Sequence, residues 1–236
     1  MTEALPSICI LAGGRGTRLG QLADRSPKPL IPVAGKPFLL HQLELVSSYG
    51  AERVVMCVGY LGEQIEAVVG RRFGNVVVDY SYDGPELAGT LGAIRNALTL
   101  MDDRFLVLYG DTYLRIDYAA FAASWQMSGC PGAMAVLHNA GKWDRSNATY
   151  SNGRVLRYEK FAPTGDMEWI DYGLGALTTQ TVEAAPVSEG ELATLYSDLA
   201  DRGELFGFPA TERFYEIGTP DALRETEDFL SRSNRD

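Results

Sequence analysis

The chain has 236 residues, of which 46% are apolar and 22% charged, and its 21 basic and 31 acidic side chains give a net charge of −10. This composition suits a packed globular core and excludes disorder as the main state, while the acidic balance argues against nonspecific binding to nucleic acid or to an anionic membrane, both of which need a cationic face. There is no apolar run of the roughly 18 residues a spanning helix needs, and the N-terminal MTEALPSICILAGG has no basic region ahead of its apolar stretch, so a cytoplasmic chain without a signal peptide is expected.

The first apolar run, Ser7–Ala12, is short, continuous and closed by Gly13-Gly14, the pattern of a strand buried on both faces. Leu39–Tyr49 has helical spacing and stops at Gly50. Arg53–Val58 reads as a second buried strand, Leu61–Val69 as a helix, and the β-branched, alternating Val76–Tyr82 as a third strand. Thr90–Leu100 returns to helix, and Arg104–Tyr109 is a fourth strand that ends at Gly110-Asp111. Strand and helix have alternated four times, which predicts an α/β fold with a doubly wound, mostly parallel, Rossmann-like central sheet and ligands at the carboxyl ends of its strands. The second half is less regular. Asp117–Met127 is helical, Ala133–His138 is a strand, Asn147–Glu159 a hairpin turning at Asn152-Gly153, Trp169–Leu177 a strand, and Pro220–Arg232 a C-terminal helix. Repeats and linkers are absent, so a single domain over residues 1–236 is expected, with a β-rich subregion in its second half.

The raw material for chemistry is narrow. Cys9, Cys57 and Cys130 are odd in number and widely spaced, which disfavours a disulfide framework or zinc site. Two histidines, His41 and His138, leave little for a His-based triad, and His41 lies on a helical pattern. The informative segment is Leu11–Pro37, LAGGRGTRLGQLADRSPKPLIPVAGKP. Gly13, Gly14 and Gly16 directly follow a buried strand and let backbone N–H groups approach a phosphate, with Arg15 and Arg18 supplying charge. It is neither a Walker loop nor a dinucleotide fingerprint, whose third glycine is replaced by Leu19. Downstream, Pro27 and Pro29 fix the backbone on both sides of Lys28, more rigidity than a surface lysine requires.

LAGGRGTRL followed by PKPLIPVAGKP resembles the signature of the sugar-1-phosphate nucleotidylyltransferases, in particular their short branch with the heptose 1-phosphate guanylyltransferases and N-acetylmuramate 1-phosphate uridylyltransferases. The resemblance runs from Ile8 to Phe229. It implies that Leu11, Ala12, Gly13, Gly14, Gly16, Thr17 and Arg18 surround the nucleotide, that Arg15 and Lys28 act on its phosphates, and that Gly89 and Thr90, in LAGTLGA, lie by the base or ribose. It implies Asp111 as a catalytic magnesium ligand, with a second carboxylate from the C-terminal motif, here Phe214-Tyr215-Glu216-Ile217-Gly218-Thr219-Pro220, where Glu216 replaces the family's aspartate. Glu159 and Lys160 match the family's pair for sugar hydroxyls and the 1-phosphate. Asp171 and Gly173 match a strand that begins with asparagine in the family, so a donor-and-acceptor side chain has become a pure acceptor.

The implied reaction is NTP + sugar 1-phosphate → NDP-sugar + pyrophosphate with Mg²⁺, GTP being the donor suggested by the heptose branch, residues 1–115 mainly holding the nucleotide and residues 116–236 the sugar phosphate. A monomer or homodimer without nucleic-acid or membrane partners is expected, and the site should form a local positive island. Two other readings compete: a cytidylyltransferase of the same fold with a non-sugar phosphate acceptor, and a catalytically silent nucleotide-binding regulator.

Overall fold

The computed structural model describes residues 4–14, 16, 19, 26–84, 87–188 and 190–233. In chain order the elements are β1 (Ile8–Leu11), a 3₁₀ turn (Lys28–Leu30), β2 (Pro32–Val33), β3 (Lys36–Pro37), α1 (Phe38–Ser48), β4 (Arg53–Val58), α2 (Gly62–Val69), β5 (Arg72–Phe73) and β6 (Val76–Tyr82). There follow α3 (Gly89–Ala97), β7 (Arg104–Tyr109), β8 (Thr112–Tyr113), α4 (Tyr118–Ser128), β9 (Gly132–His138), β10 (Ala148–Ser151) and β11 (Arg154–Tyr158). The chain closes with β12 (Trp169–Thr178), α5 (Thr179–Ala184), α6 (Leu192–Asp201), β13 (Leu205–Ala210), β14 (Tyr215–Glu216) and α7 (Pro220–Ser233).

Ten strands form one sheet in the order β10-β11-β13-β9-β12-β7-β1-β4-β6-β5. Alternate residues of the central strands feed two cores. Ile8, Ile10, Val54 and Met56 pack under α1, α2 and α4, whereas Cys9, Val55, Phe105 and Val107 pack under α3, α5 and α6. Burial on both faces explains why these strands read as continuous apolar runs rather than alternating ones. A third, smaller cluster joins α7 to β2 through Val33, Ile217 and Leu230.

The expected α/β class with a central sheet holds. The sheet is continuously parallel, however, only through β7-β1-β4-β6, with one further parallel pair, β13–β9, so the expectation of a mostly parallel sheet describes the first half of the chain. Beyond β7 the pairing is mixed: β12 runs antiparallel to both β7 and β9, and β13 runs parallel to β9. One antiparallel pair is closed by a short connection, the tight β10–β11 hairpin at Asn152 (φ 48°) and Gly153 (φ 78°). β12 carries the transition. Its C-terminal half pairs with β7, while Trp169 at its start pairs with Ala148 of β10. The additional β10–β12 contact closes β10, β11, β13, β9 and β12 into a five-strand ring. The bend falls at a register shift against β9 between Asp171 and Gly175, a bulge of the kind that re-aims side chains. Elements without a clear periodic signal (β2, β3, β5, β8 and β14) are two residues long each.

Candidate active site

The parallel strands β1, β4, β6 and β7 end at one cleft of about 340 Å³. The backbone is crowded where they meet. Ala12 N donates to Cys57 O (2.8 Å), Asp83 N to Val58 O (3.0 Å) and Gly110 N to Leu11 O (2.9 Å). A Cβ on Gly110 would stand 3.0 Å from Leu11 O, and one on Gly13 would stand 3.0 Å from Gly59 N. Glycine at these positions is what lets three strand ends converge on a common opening.

Of the expected nucleotide ligands, Leu11, Ala12, Gly13, Gly14, Gly16, Gly89 and Thr90 line this cleft, as do Lys28 and Asp111. Arg15, Thr17 and Arg18 lie outside the described residues. Lys28 opens the 3₁₀ turn, in which Leu30 N donates to Pro27 O (2.8 Å) and Ile31 N to Lys28 O (3.1 Å). Its side chain is only 11% exposed, and its ammonium forms an ion pair with the Asp111 carboxylate. The loop bearing Asp111 is pinned from below by α1: the buried Gln42 donates from Nε2 to Tyr109 O (2.8 Å) and to Thr112 O (2.9 Å). From the other side Ile217 N donates to Asp111 O (3.0 Å), and Glu216 pairs with Thr112 across β14 and β8. Gly218 lines the cleft, and a Cβ on it would lie 2.8 Å from Glu216 Oε2. The C-terminal motif is therefore held beside Asp111, some hundred residues away in sequence. Among the described residues no three His, Cys, Asp or Glu side chains converge as a preformed metal cage.

Gly89 and Thr90 are tied to a distant segment. Leu91 N donates to Gly190 O (2.8 Å), while the Thr90 hydroxyl donates to Glu191 Oε2 (3.2 Å) and accepts from Leu192 N (2.8 Å). Gly89 has φ +74°, and a Cβ there would meet Gly190 O at 2.5 Å. Gly89→Ala is therefore expected to lower stability by about 2 kcal/mol, combining left-handed strain with the carbonyl clash. Urea unfolding checks this, and a variant as stable as the parent refutes the close-approach argument.

The acceptor-side candidates stand apart from the cleft lining. Lys160 Nζ lies 5.1 Å from the centroid of the Tyr109 ring, and Glu159 N donates to Asn147 O (2.8 Å). Asp171 sits at the β12 bulge, where Oδ1 accepts from Gly173 N (2.9 Å), Oδ2 accepts from the Tyr158 hydroxyl (3.1 Å), and its own N–H donates to Asn147 Oδ1 (2.9 Å). Burial pushes the Asp171 carboxyl above its ordinary value, opposed by the Gly173 N–H, the Lys160 charge and the Tyr158 hydroxyl. Gly173 (φ 94°) is buried in the bulge, packed towards Thr112 and Leu114.

Sequence reasoning did not single out Cys57, Asp83, Tyr109 and Glu191, all of which line the cleft beside Leu87 and Gly218 of the two expected motifs. Asp83 was within reach, because it follows β6 as Asp111 follows β7, and strand ends face the ligand crevice. Burial raises its carboxyl above the ordinary value, against the Ala88 N–H that stabilises the charge. The expected positive island is not what the described lining carries: one lysine faces Asp83, Asp111 and Glu191. His41 is buried and bonded through Nε2 to Val33 O (2.7 Å), a core role.

Residues 8–203 match the model of the MobA-like NTP transferase domain. The chain belongs to that family. Its relatives bear out the resemblance read from the glycine and proline motifs. A D-glycero-alpha-D-manno-heptose 1-phosphate guanylyltransferase from Aneurinibacillus thermoaerophilus is 34% identical over 109 residues, covering 46% of this chain and 47% of that protein. The mannose-1-phosphate guanylyltransferase catalytic subunit beta of Xenopus tropicalis is 26% identical over 230 residues, 94% of this chain and 62% of that one. A CMP-5'-(3-aminopropyl)phosphonate synthase from Streptomyces rubellomurinus is 36% identical over 103 residues, 43% of this chain and 16% of that protein. The chain thus spans less than two thirds of the length of these curated relatives. HddC from Yersinia pseudotuberculosis, solved with GMP-PN, superposes with a TM-score of 0.79 at 24% identity, covering 96% of this chain and 100% of that one, and shares the fold. Among the described residues no helix is long and apolar enough to cross a membrane.

Proposed function

We propose that this MobA-like NTP transferase moves a nucleotidyl group from an NTP to a sugar 1-phosphate, with GTP and a heptose 1-phosphate as the preferred pair. The observation that carries the reading is the Lys28–Asp111 ion pair facing the glycine turn at the shared ends of β1 and β7. Residues 1–115 mainly hold the nucleotide and residues 116–236 the acceptor. An acceptor phosphate oxygen attacks the α-phosphorus, and the bond from that phosphorus to the bridging oxygen breaks, its electron pair leaving with pyrophosphate. The nucleophile is already anionic, so no general base is needed and the lack of a histidine in the described lining is no obstacle. The difficulty is electrostatic: two unit charges 4 Å apart repel by roughly 4 kcal/mol at an effective dielectric of 20. Lys28 offsets this at the α-phosphate and stabilises the departing charge, with Arg15 and Arg18 from the glycine turn, and Lys160 holds the incoming 1-phosphate.

Asp111 lines the cleft, and Glu216, outside its lining, lies on the neighbouring segment with its carboxylate against Gly218, which does line it; these two hard oxygen donors would hold magnesium with the rest of its shell completed by substrate oxygens. Magnesium there would neutralise phosphate charge. With three carboxylates against one lysine in the described lining, the site calls for such added positive charge.

Asp83 supports guanine. Its Oδ2 lies 3.3 Å from a Cβ position on Gly13 and 2.8 Å from one on Gly59, so the carboxylate occupies the glycine-lined end of the cleft. A carboxylate accepts two adjacent donors, and the guanine edge offers its ring N1–H beside its exocyclic amine. Ionisation is required, so the Michaelis constant for GTP rises as pH falls through Asp83's raised value. Asp83→Asn is expected to remove that acid limb and to weaken GTP by about tenfold, read from initial rates as the pH is lowered from neutrality to the onset of acid unfolding. A parent enzyme with no acid limb refutes the base assignment.

The deciding experiment is pyrophosphate release with Mg²⁺ across five NTPs and a panel of hexose and heptose 1-phosphates. Silence with every sugar phosphate overturns the proposal. The panel includes CTP with an aminoalkyl phosphonate, because the relative named for a CMP-phosphonate product favours a non-sugar acceptor as the second reading.

A further inference from the structure

Three hydrogen-bond donors or cations surround Asp171, and none is a substrate. The Gly173 amide holds Oδ1 and the Tyr158 hydroxyl holds Oδ2, and the Lys160 charge acts on the same carboxylate. An asparagine could meet them with one oxygen only, and its amide group would turn two further donors towards the ammonium. Lys160 itself is exposed, a long side chain with little to restrain it, yet its ammonium rests over the Tyr109 ring, 5.1 Å from the centroid. Tyr109 closes β7 and lines the cleft two residues before Asp111. Its hydroxyl is buried without a hydrogen-bond partner, so the ring face is what it offers Lys160.

We propose that Asp171 and Tyr109 are positioning residues for Lys160, the ring as a platform and the carboxylate as a fixed counter-charge. They hold the ammonium at the margin of the cleft where the acceptor's phosphate arrives, and Asp171 does not read the acceptor's hydroxyls. This rests on the proposed acceptor role of Lys160. It changes the meaning of the aspartate: the substitution tunes how firmly the phosphate is gripped, and acceptor choice lies elsewhere. The bulge between Asp171 and Gly175 is the local device: Asp171 is the last residue in register with β9, opposite Val136, and the shift that follows brings the Gly173 N–H back onto its carboxylate.

A mutant cycle tests it in the full-length protein. Asp171→Asn and Tyr109→Leu are each expected to raise the Michaelis constant for the acceptor about two- to fivefold, the range for a through-space charge interaction or a cation–π contact, and in Asp171→Asn that for the NTP should not follow. In a Lys160→Ala background both substitutions become silent, because their target is gone. An Asp171→Asn effect that persists without Lys160, or that differs between acceptors with different sugars, overturns the proposal. A second readout does not depend on turnover. The chain has four lysines, Lys28, Lys36, Lys142 and Lys160, so ¹³C-methylated lysine signals are resolvable by NMR and assigned by Lys160→Arg. The Lys160 methyls should be shifted upfield by the Tyr109 ring and return to the ordinary position in Tyr109→Leu. An unshifted signal in the parent overturns the positioning role, whereas inactivity on every acceptor with the shift present refutes only the reaction.

Discussion

Asp111→Asn is expected to abolish magnesium-dependent turnover, lowering it by at least about a hundredfold, while the melting temperature stays within a degree or two of the parent. The separation of the two effects follows from what holds the loop. Gln42 bonds the carbonyls of Tyr109 and Thr112, and Ile217 bonds the carbonyl of Asp111. None of these contacts uses the Asp111 carboxylate, and an asparagine oxygen can still accept from Lys28. What the variant lacks is negative charge on a hard oxygen at the end of β7. The checks are pyrophosphate release against Mg²⁺ concentration and a thermal melt. Turnover within threefold of the parent refutes the metal assignment, whatever the melt shows.

Lys28→Ala is expected to reduce kcat by about a hundred- to a thousandfold, with a much smaller change in the Michaelis constant for the NTP, because the interaction strengthens as charge moves onto pyrophosphate. Lys28→Arg should recover little of this. The lysine is 11% exposed and fixed by a 3₁₀ turn between Pro27 and Pro29, so a wider planar guanidinium cannot occupy the same point. Steady-state kinetics on both variants decides it. A loss confined to the Michaelis constant would make Lys28 a ground-state binder.

Much of this site was legible because its residues are contiguous in sequence. The glycine turn, the Pro-Lys-Pro bracket and Gly110-Asp111 each sit directly beside a strand or turn that periodicity exposes, and the strand-end rule then gathers them. Asp83 obeys the same rule, yet in sequence residues 83–87 carry no side chain marked as discriminating between bases. Glu191 was illegible for another reason. It reaches the cleft through a long-range pairing, the backbone bond of Leu91 to Gly190, which leaves no periodic trace. The closed ring was hidden likewise. β12 reads as one apolar strand, yet its two halves have different neighbours, and the bulge that separates them begins just after Asp171. The adjacent Glu159-Lys160 pair gave no sign that Lys160 rests on Tyr109, because that contact joins β11's end to β7's.

Ring closure also decides where this protein is open to its own kind. A sheet normally has two margins of unpaired N–H and C=O groups that can recruit another chain. Here one margin is partly covered where Ala148 of β10 pairs with Trp169 of β12, so among the described residues the longer open margin lies on the far side, at β6. There β5 covers only Val76 and Val77, and Val77 and Tyr82 are 38% and 40% exposed. Aggregation under stress should begin on the nucleotide half, where β6 runs on past the residues that β5 covers.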